Sequence, residues 1–172
     1  SEWIRLTVVD IETPDGQRFD HHVVHMKPIA IAVLVDGSGS VLMLRRHRWV
    51  VDKTGYELLG GLVEPGEEPS VAAAREAVEE SGWKPEGDPQ HLASFQPIPG
   101  MVLSQTDIYL WRKFAQVGEP TDAEEAGELV WVPRDELPRL IATGQALGAG
   151  TLIALLQLLA LDSGVDATPI VD

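Results

Sequence analysis

Three glutamates within five residues, Glu76, Glu79 and Glu80, constrain this chain more than any other feature. They lie in the stretch GGLVEPGEEPSVAAAREAVEESGW, whose second half is rich in alanine and glutamate and predicts a helix over residues 71–81. At about 100° per residue, the three carboxylates span roughly 100° of such a helix and share one face. The sequence therefore predicts an amphipathic helix with a single acidic face.

The ends and the packed side of this helix are also predicted from its residues. Pro69 suits a first helical turn, Ser70 is a possible N-cap, and Gly82 can end the helix. We expect the side opposite the glutamates to pack on a core and the carboxylates to point outward. That opposite side carries Val71, Ala74, Val78 and Ser81.

The segment before the helix favours a metal site. Gly60 and Gly61 permit close backbone approach, and Glu64-Pro65-Gly66 is typical of a turn in a loop. Carboxylate oxygens beside free backbone carbonyls are ligands that Mg²⁺ and Mn²⁺ prefer. For the glutamates taken alone, a solvated charged face is the alternative interpretation, because charged side chains are mostly exposed.

The residues on either side of this turn resemble a known family. Gly61, Glu67 and the run Arg75-Glu76-Ala77-Val78-Glu79-Glu80-Ser81-Gly82-Trp83 stand at the spacing of the Nudix box. Seven specified positions, at about 7% usage each, would coincide by chance roughly once in 10⁸ windows. The resemblance implies an α+β fold, namely an α/β/α sandwich with a mixed sheet and an N-terminal strand pair.

The resemblance also implies roles for the residues of the box. It implies Mg²⁺ as the cofactor, with Mn²⁺ as a possible substitute. Arg75 is expected to orient the loop and the carboxylates together with Glu67, and a purely structural ion pair between them is the alternative. Glu79 either completes the metal site or binds a second ion. The metal ligands implied are the Gly60 carbonyl, Glu76, Glu79 and Glu80.

Segments outside the box are similar to Nudix proteins of the ADP-ribose pyrophosphatase type. Arg46-His47-Arg48-Trp49 resembles the Arg-Gln-Tyr-Arg segment of that group, and Tyr56-Glu57-Leu58-Leu59-Gly60-Gly61 resembles its entry to the box. A proline is also usual near the position of Pro99. The substrate-binding residues that the resemblance implies are Arg46, Arg48, Trp49, Glu57 and Pro99.

Two of these candidates can also be argued from their own spacing. Arg46 and Arg48 would alternate onto one side of an extended segment, so both could reach a phosphate or a carboxylate. A solvated, charge-rich edge strand is the alternative interpretation. Trp49 could stack on a base, with simple packing as its alternative.

An acidic loop, TDAEEAGE over residues 121–128, follows later in the chain. Similar loops in the ADP-ribose group supply a catalytic glutamate. The resemblance therefore implies Glu125 as the first choice for the general base and Glu124 as the second. A merely solvated acidic loop is the alternative. The catalytic residues implied are thus Glu125, Glu124, Glu79 and Arg75.

The remaining segments organise the chain into a short N-terminal unit and one larger domain. Strands are predicted over Ile4–Glu12 and Phe19–Met26, and a second hairpin over Ile29–Val35 with Val41–Leu44. We expect residues 1–28 to form a strand pair that lines the substrate or a dimer interface, and residues 29–172 to form the hydrolase domain.

Composition narrows the partners and the location. With 27 acidic against 13 basic residues the net charge is −14, which disfavours nucleic-acid backbones and anionic membranes. The chain contains no cysteine, and its most apolar segment, Thr151–Leu161, is far shorter than a membrane span. We therefore expect a cytoplasmic protein. Because Thr151–Leu161 is apolar nearly all round, we also expect a homodimer.

The predicted function is Mg²⁺-dependent hydrolysis of the pyrophosphate bond in a nucleoside diphosphate linked to a sugar. The resemblance favours ADP-ribose, cleaved to AMP and ribose 5-phosphate. Such chemistry needs a metal and a base, because water is a poor nucleophile and the pyrophosphate is heavily charged. Two alternatives stay open: a GDP-mannose or dinucleotide pyrophosphatase, and a non-catalytic regulator that binds nucleotide sugars.

Overall fold

Twelve strands and three helices make up the described part of the chain, residues 3–121 and 127–162 of the computed structural model. The strands are β1 (Ile4–Glu12), β2 (Arg18–Met26), β3 (Ile29–Leu34), β4 (Val41–Arg48), β5 (Lys53–Glu57), β6 (Leu59–Leu62), β7 (Trp83–Pro85), β8 (Gln90–Phe95), β9 (Val102–Leu103), β10 (Thr106–Trp111), β11 (Phe114–Gln116) and β12 (Glu128–Val132). The helices are α1 (Pro69–Ser81), α2 (Leu137–Ala142), which a 3-10 turn at Arg134–Glu136 precedes, and α3 (Ala149–Asp162).

A mixed sheet of order β6-β3-β10-β8 forms the centre of the fold, with β3 and β10 parallel and the other pairs antiparallel. A second, antiparallel sheet has the order β12-β4-β5. The expected hairpin of Ile29–Val35 with Val41–Leu44 is wrong. The two strands share only the bridge between Val35 and Val41 and then enter different sheets.

Helices cover both faces of the central sheet. Because side chains alternate along a strand, Ala30, Ala32 and Leu34 of β3 pack in a cluster with α1, while Val33 packs with α2 and α3 on the other side. On that other side Leu137 and Leu155 are fully buried. The predicted α/β/α sandwich with a mixed sheet is confirmed.

The packed side of α1 differs from the expectation. Of the predicted packed side only Ser81 is buried, and Val71 is 57% exposed. The other buried residues of the helix are Ala72, Ala73, Ala77 and Glu80. Alanines have short side chains, so the helix backbone can approach the central sheet closely. As a result Glu80 faces the core, and the prediction of an outward-pointing carboxylate is wrong for this residue, whereas the Glu79 side chain is 44% exposed.

The ends of α1 agree only in part with the sequence. Glu68, not Ser70, is the N-cap residue, and no side chain caps the helix there. Gly82 ends the helix with φ 72°, a conformation that favours glycine, and its N–H donates to the Val78 carbonyl as expected. Gly60 and Gly61, expected in a loop, lie in β6 opposite β3.

The N-terminal strand pair is present. β1 and β2 are antiparallel over nine residue pairs, and β9 joins β2 in parallel. One face of this sheet leaves Ile4, Leu6 and Val8 about half or more exposed, at 49%, 63% and 56%. None of the helices in the described residues combines the length and the apolar character that crossing a bilayer requires.

Candidate active site

Arg75 organises one group of charged residues, which we call the acidic cluster: Glu67, Arg75, Glu76 and Glu79. The guanidinium donates to both Glu67 oxygens at 3.0 Å, to Glu76 Oε1 at 2.7 Å and to Glu79 Oε2 at 3.0 Å. It also donates to the Leu62 carbonyl at 3.0 Å, which ties α1 to the end of β6. The expected contacts of Arg75 with the loop and the carboxylates are therefore present.

Ionisation in the acidic cluster is uneven because one guanidinium serves three carboxylates. Burial raises the pKa of Glu76, although the hydrogen bond from Arg75 acts in the opposite direction. The hydrogen bond from Arg75 lowers the pKa of Glu67. The hydrogen bond to Glu67 in turn raises the pKa of Arg75. The carboxylates of the cluster therefore outnumber the one guanidinium that contacts them.

Glu80 lies one turn further along α1 and is 5% exposed. Its Oε2 accepts a hydrogen bond from the Gly60 N–H at 2.7 Å, and its Oε1 accepts one from Arg46 Nη1 at 3.2 Å. Next to it, a Cβ on Gly61 would lie 2.5 Å from Cδ of Glu76. Glycine at this position therefore lets the carboxylates approach the strand backbone.

A second charged group, the basic cluster, consists of Arg46, Arg48 and Glu57. Arg46 Nε donates to Glu57 Oε2 at 2.7 Å, and Arg48 donates to both Glu57 oxygens through Nε and to Oε2 through Nη2 at 2.7 Å. Burial favours a raised pKa for Glu57, but the hydrogen bonds from Arg48 and Arg46 outweigh it and the pKa is lowered.

The two arginines share one side of β4, as their spacing predicts. The edge-strand interpretation of Arg46 and Arg48 is wrong, because β4 lies between β12 and β5 and Arg46 is only 7% exposed. Arg46 contacts both Glu57 and Glu80, so it joins the basic cluster to the carboxylate helix.

A cavity of about 390 Å³ opens beside the basic cluster. Its size falls in the range of small-molecule sites. Its lining combines the basic cluster, the β6 backbone, apolar side chains and the start of α3: Ile29, Ile31, Arg46, Arg48, Glu57, Leu58, Gly60, Gly61, Leu62, Phe95, Pro97, Thr106, Leu147, Gly148, Ala149, Gly150 and Thr151. The cavity thus reaches the strand that contacts the carboxylates of α1.

Two predicted substrate-binding residues lie elsewhere. Trp49 is 82% exposed in the turn after β4 and does not line the cavity. Pro99 lies in a different depression, beside His21 and Met101. The structure places Pro97 in the cavity instead.

Sequence reasoning missed several cavity residues because they are distant in the chain. Phe95 and Thr106 stand opposite each other on β8 and β10, and residues 147–151 reach the cavity only because α3 docks there. The order of β8 and β10 in the sheet is not encoded in either segment alone. No local pattern in the chain marks these residues as neighbours of Glu57.

The predicted general bases, Glu125 and Glu124, lie outside the described residues. The described ends of their loop lie at the site. On one side, Thr121 N donates to the Glu79 carbonyl at 2.8 Å. On the other, a Cβ on Gly127 would lie 3.1 Å from Cβ of Arg46. One described end of the loop therefore lies at the acidic cluster and the other at the basic cluster.

The donors on α1 fit a hard divalent cation in their chemistry, because all are carboxylate oxygens close to a strand backbone. In the structure, Arg75 holds Glu76 and Glu79, while Arg46 and Gly60 hold Glu80. Within residues 3–121 and 127–162, no three His, Asp or Glu side chains are arranged as a metal-binding group. Binding an ion would require exchange of these arginine contacts.

Comparison with known proteins places these clusters in a family context. The model of the NUDIX domain matches residues 25–153. A CMP-5′-(N-acetyl-N-hydroxy-3-aminopropyl)phosphonate hydrolase from Streptomyces rubellomurinus is 44% identical over 161 residues, which cover 94% of this chain and 78% of that protein. An ADP-ribose pyrophosphatase from Bacillus subtilis is 29% identical over 155 residues, which cover 88% of this chain and 83% of that protein.

A solved structure supports the same fold. The crystal structure of an ADP compounds hydrolase superposes with a TM-score of 0.76 and 20% identity, covering 95% of this chain and 90% of the other. At this level of identity the likeness concerns the fold alone.

Proposed function

Because this chain belongs to the NUDIX family, we propose that it hydrolyses the phosphoanhydride bond of a substituted nucleoside diphosphate and releases a nucleoside monophosphate. The observation that carries the proposal is one wall of the cavity, which runs from the basic cluster to Gly60 and Gly61. The cavity of about 390 Å³ lies on one side of this wall and the carboxylates of α1 contact it from the other. A phosphoanhydride at the wall would have cationic and anionic groups within reach.

Mg²⁺, with Mn²⁺ as a substitute, is the proposed cofactor, held by the Gly60 carbonyl, Glu76, Glu79 and Glu80. Such an ion, when bound, neutralises phosphate oxygens and acidifies water. The intact carboxylate set favours a catalyst over a regulator that only binds nucleotides. Arg75 would position Glu76 and Glu79, since it contacts both at 3.0 Å or less.

The other residues of the chain would bind and orient the substrate. Arg46 and Arg48 present guanidinium groups at the cavity, where they would donate to phosphate oxygens. Glu57 keeps both of them oriented through hydrogen bonds of 2.7 to 3.1 Å. Glu125, or Glu124 as the second choice, would take the proton from water, in a loop whose two ends flank the site.

Two substrates are supported by different observations. ADP-ribose is supported by the Arg46–Trp49 and Tyr56–Gly61 segments and by the relative from Bacillus subtilis. A nucleoside monophosphate joined to a phosphonate is supported by the relative from Streptomyces rubellomurinus, whose identity of 44% is higher. In both molecules the bond cleaved would join a nucleoside monophosphate to a second phosphorus. GDP-mannose and dinucleotides are the further substrates to compare.

A substrate screen tests the proposal. ADP-ribose, GDP-mannose, a dinucleotide and a CMP-phosphonate anhydride would be incubated with the protein and Mg²⁺ or Mn²⁺, and the products identified by mass spectrometry. The expected result is a nucleoside monophosphate from at least one of them, and none after addition of EDTA. Release of no nucleoside monophosphate from any of them would contradict the proposal.

We also propose that the protein is a cytoplasmic homodimer in which residues 1–28 contribute surface and the remaining residues form the hydrolase domain. Exposed apolar side chains on β1 support this, as does Leu156 on α3, which is 49% exposed. Light scattering at micromolar concentration is the test, and a monomeric mass would contradict the dimer.

A further inference from the structure

The first turn of α3 offers backbone donors to the cavity. The helix runs for 14 residues from Ala149, and Leu152 N donates to the Gly148 carbonyl at 3.2 Å. The N–H groups at the start of an α-helix have no partner within it. Among the described residues, those of Ala149, Gly150 and Thr151 donate to no other group. All three residues line the cavity.

Contacts with the neighbouring strand fix this helix start in place. Leu147 N donates to the Tyr56 carbonyl at 2.9 Å, and Leu58 N donates to Thr151 Oγ1 at 3.1 Å. These two contacts flank Glu57 in the chain. The first turn of α3 is therefore held beside the basic cluster and needs no movement to present its N–H groups.

Thr106 adds an independent signal that the cavity binds a ligand. The residue is 3% exposed and lines the cavity from β10. Its Cγ2 lies 3.8 Å from the position of a Cβ on Gly150, so its side chain contacts the start of α3. Its hydroxyl makes no hydrogen bond within the described part of the chain, and no side-chain oxygen there is both fully buried and without a partner, so the hydroxyl opens onto the cavity. A ligand oxygen in the cavity can accept a hydrogen bond from it.

The N-terminal end of α3 is the part of the cavity that favours an anion, because the start of a helix carries a partial positive charge. The charged lining residues are Arg46, Arg48 and Glu57, and Arg46 also contacts Glu80, so two guanidinium groups face two carboxylates. The chain as a whole carries a net charge of −14, whereas the charges of the described residues at this cavity balance. The rest of its lining is apolar, including Ile31 and Phe95.

From these observations we infer that Thr106 and the first turn of α3 form an oxyanion subsite. This subsite would bind the far end of the group that is attached to the second phosphorus of the substrate. This group would consist of a short apolar chain from the second phosphorus to a terminal carboxylate-sized anion. The inference rests on the proposed function, because it names the substrate class that the same cavity selects. A polyol such as ribose has hydroxyl groups that need acceptors as well as donors, and at this subsite they would meet mainly donors and apolar side chains.

Matched synthetic substrates test the inference. The 3-carboxypropyl and butyl esters of CDP, and the same two esters of ADP, differ only in the terminal group. The expected result is a kcat/KM at least about tenfold higher for the carboxypropyl ester, the size of effect given by a hydrogen bond to a charged group. Equal kcat/KM values for the two esters would overturn the subsite while leaving the proposed hydrolysis intact.

Two variants assign the preference to these residues. Thr106→Val removes the hydroxyl at nearly constant volume, and Ala149→Pro removes one N–H at a helical position that tolerates proline. Each should lower the preference for the carboxypropyl ester severalfold, whereas Thr106→Ser should retain it. An unchanged preference in Ala149→Pro and in a folded Thr106→Val would overturn the assignment.

A binding measurement separates failure of the subsite from failure of the proposed function. Calorimetric titration of the CDP and ADP esters in EDTA requires no turnover. Tighter binding of the carboxypropyl ester than of the butyl ester, lost in Thr106→Val, supports the subsite even if neither ester is hydrolysed. Equal binding of the two esters overturns it.

Discussion

The acidic and basic clusters are built from the same two side-chain types in opposite proportion. In the acidic cluster one guanidinium, that of Arg75, serves three carboxylates. In the basic cluster the guanidinium groups of Arg46 and Arg48 share the one carboxylate of Glu57. Burial accordingly prevails at Glu76, whose pKa is raised, while the arginines prevail at Glu57, whose pKa is lowered.

The difference between the clusters shows how a chain with a net charge of −14 can bind a polyanion. The acidic cluster has carboxylates in excess and would attract divalent cations, whereas the basic cluster has guanidinium groups in excess and would attract phosphate oxygens. Arg46 contacts Glu80, which follows the acidic cluster on the same helix, at 3.2 Å, so the two clusters lie within reach of one substrate. Cation-assisted cleavage of a phosphoanhydride requires both kinds of group close together, carboxylates to hold the cation and guanidinium groups to hold the phosphate oxygens.

Glu80→Gln should have the largest effect, because Glu80 lies one turn beyond the acidic cluster on α1 and contacts Arg46 of the basic cluster. We expect kcat/KM to fall at least about 10³-fold, since losing a metal ligand removes several kcal/mol of transition-state stabilisation. Glutamine has one acceptor oxygen, so it can keep the hydrogen bond from the Gly60 N–H but loses the one from Arg46, and some loss of stability should accompany the loss of activity. Steady-state kinetics at saturating Mg²⁺ and a melting curve measure both effects.

Glu12→Gln is the matched control, because its side chain is 62% exposed on the N-terminal strand pair. It should retain the activity of the wild type. Near-normal activity of Glu80→Gln at saturating Mg²⁺ would contradict the role of α1 as the metal-binding helix.

Glu125→Gln tests whether the loop between the clusters supplies the base. A general base typically contributes about 10²-fold or more, so kcat should fall by that amount while KM changes little. Glu124→Gln is the control, since it makes the same chemical change at the neighbouring position. If Glu124→Gln is the damaging change, the loop supplies the general base, but the base is Glu124 and not Glu125. If neither matters, the base lies elsewhere.

The acidic cluster could be predicted from the sequence more fully than the basic one. Glu67, Arg75, Glu76 and Glu79 lie within 13 residues on one turn and one helix, so their contacts follow from local spacing. Glu57 and Arg46 are 11 residues apart on paired strands, and their contact depends on the register of β4 with β5. That register is a property of the whole sheet.

The packed side of α1 could not be predicted because the pattern of large apolar residues was misleading. Val71 and Val78 suggested the buried side, yet the helix packs through the small side chains of Ala73 and Ala77. Close packing against a glycine-containing strand depends on small volume more than on hydrophobicity. The cavity was beyond prediction for a different reason, since Thr106 and Gly150 meet only through the docking of α3.

Glu57→Gln should lower stability when Mg²⁺ is absent, whereas Glu76→Gln should not. The lowered pKa of Glu57 means that its charged form stabilises the fold, so Glu57→Gln should lower the free energy of unfolding by about 1.5–3 kcal/mol, the value of a hydrogen bond to a charged group. The raised pKa of Glu76 means that its neutral form is favoured in the fold. Glu76→Gln should therefore not lower stability, although it should impair catalysis.

The pH dependence of unfolding provides the measurement. The stabilisation from Glu57 is present above its unfolded pKa of 4.5 and is lost as the pH falls through the lower folded value. The wild type and Glu57→Gln should therefore converge in stability below pH 4.5. For Glu76 the sign is reversed, because protonation at low pH relieves the buried charge. A loss of stability in Glu76→Gln equal to that in Glu57→Gln would contradict the contrast between the clusters.

Trp49→Ala should have the smallest effect, although Trp49 follows the basic cluster directly in the chain. The side chain is 82% exposed in the turn after β4 and does not line the cavity, so within one protomer it contacts no substrate. We expect kcat/KM to change by about twofold or less, because surface substitutions typically change free energies by about 0.5 kcal/mol or less. Kinetics and light scattering on the same sample distinguish two outcomes. Unchanged kinetics limit the substrate site to the cavity beside Arg46 and Arg48. A large fall in kcat/KM together with a dimer-to-monomer shift would mean that Trp49 acts at the interface between protomers, and the basic cluster would then be incomplete without a second copy of the chain.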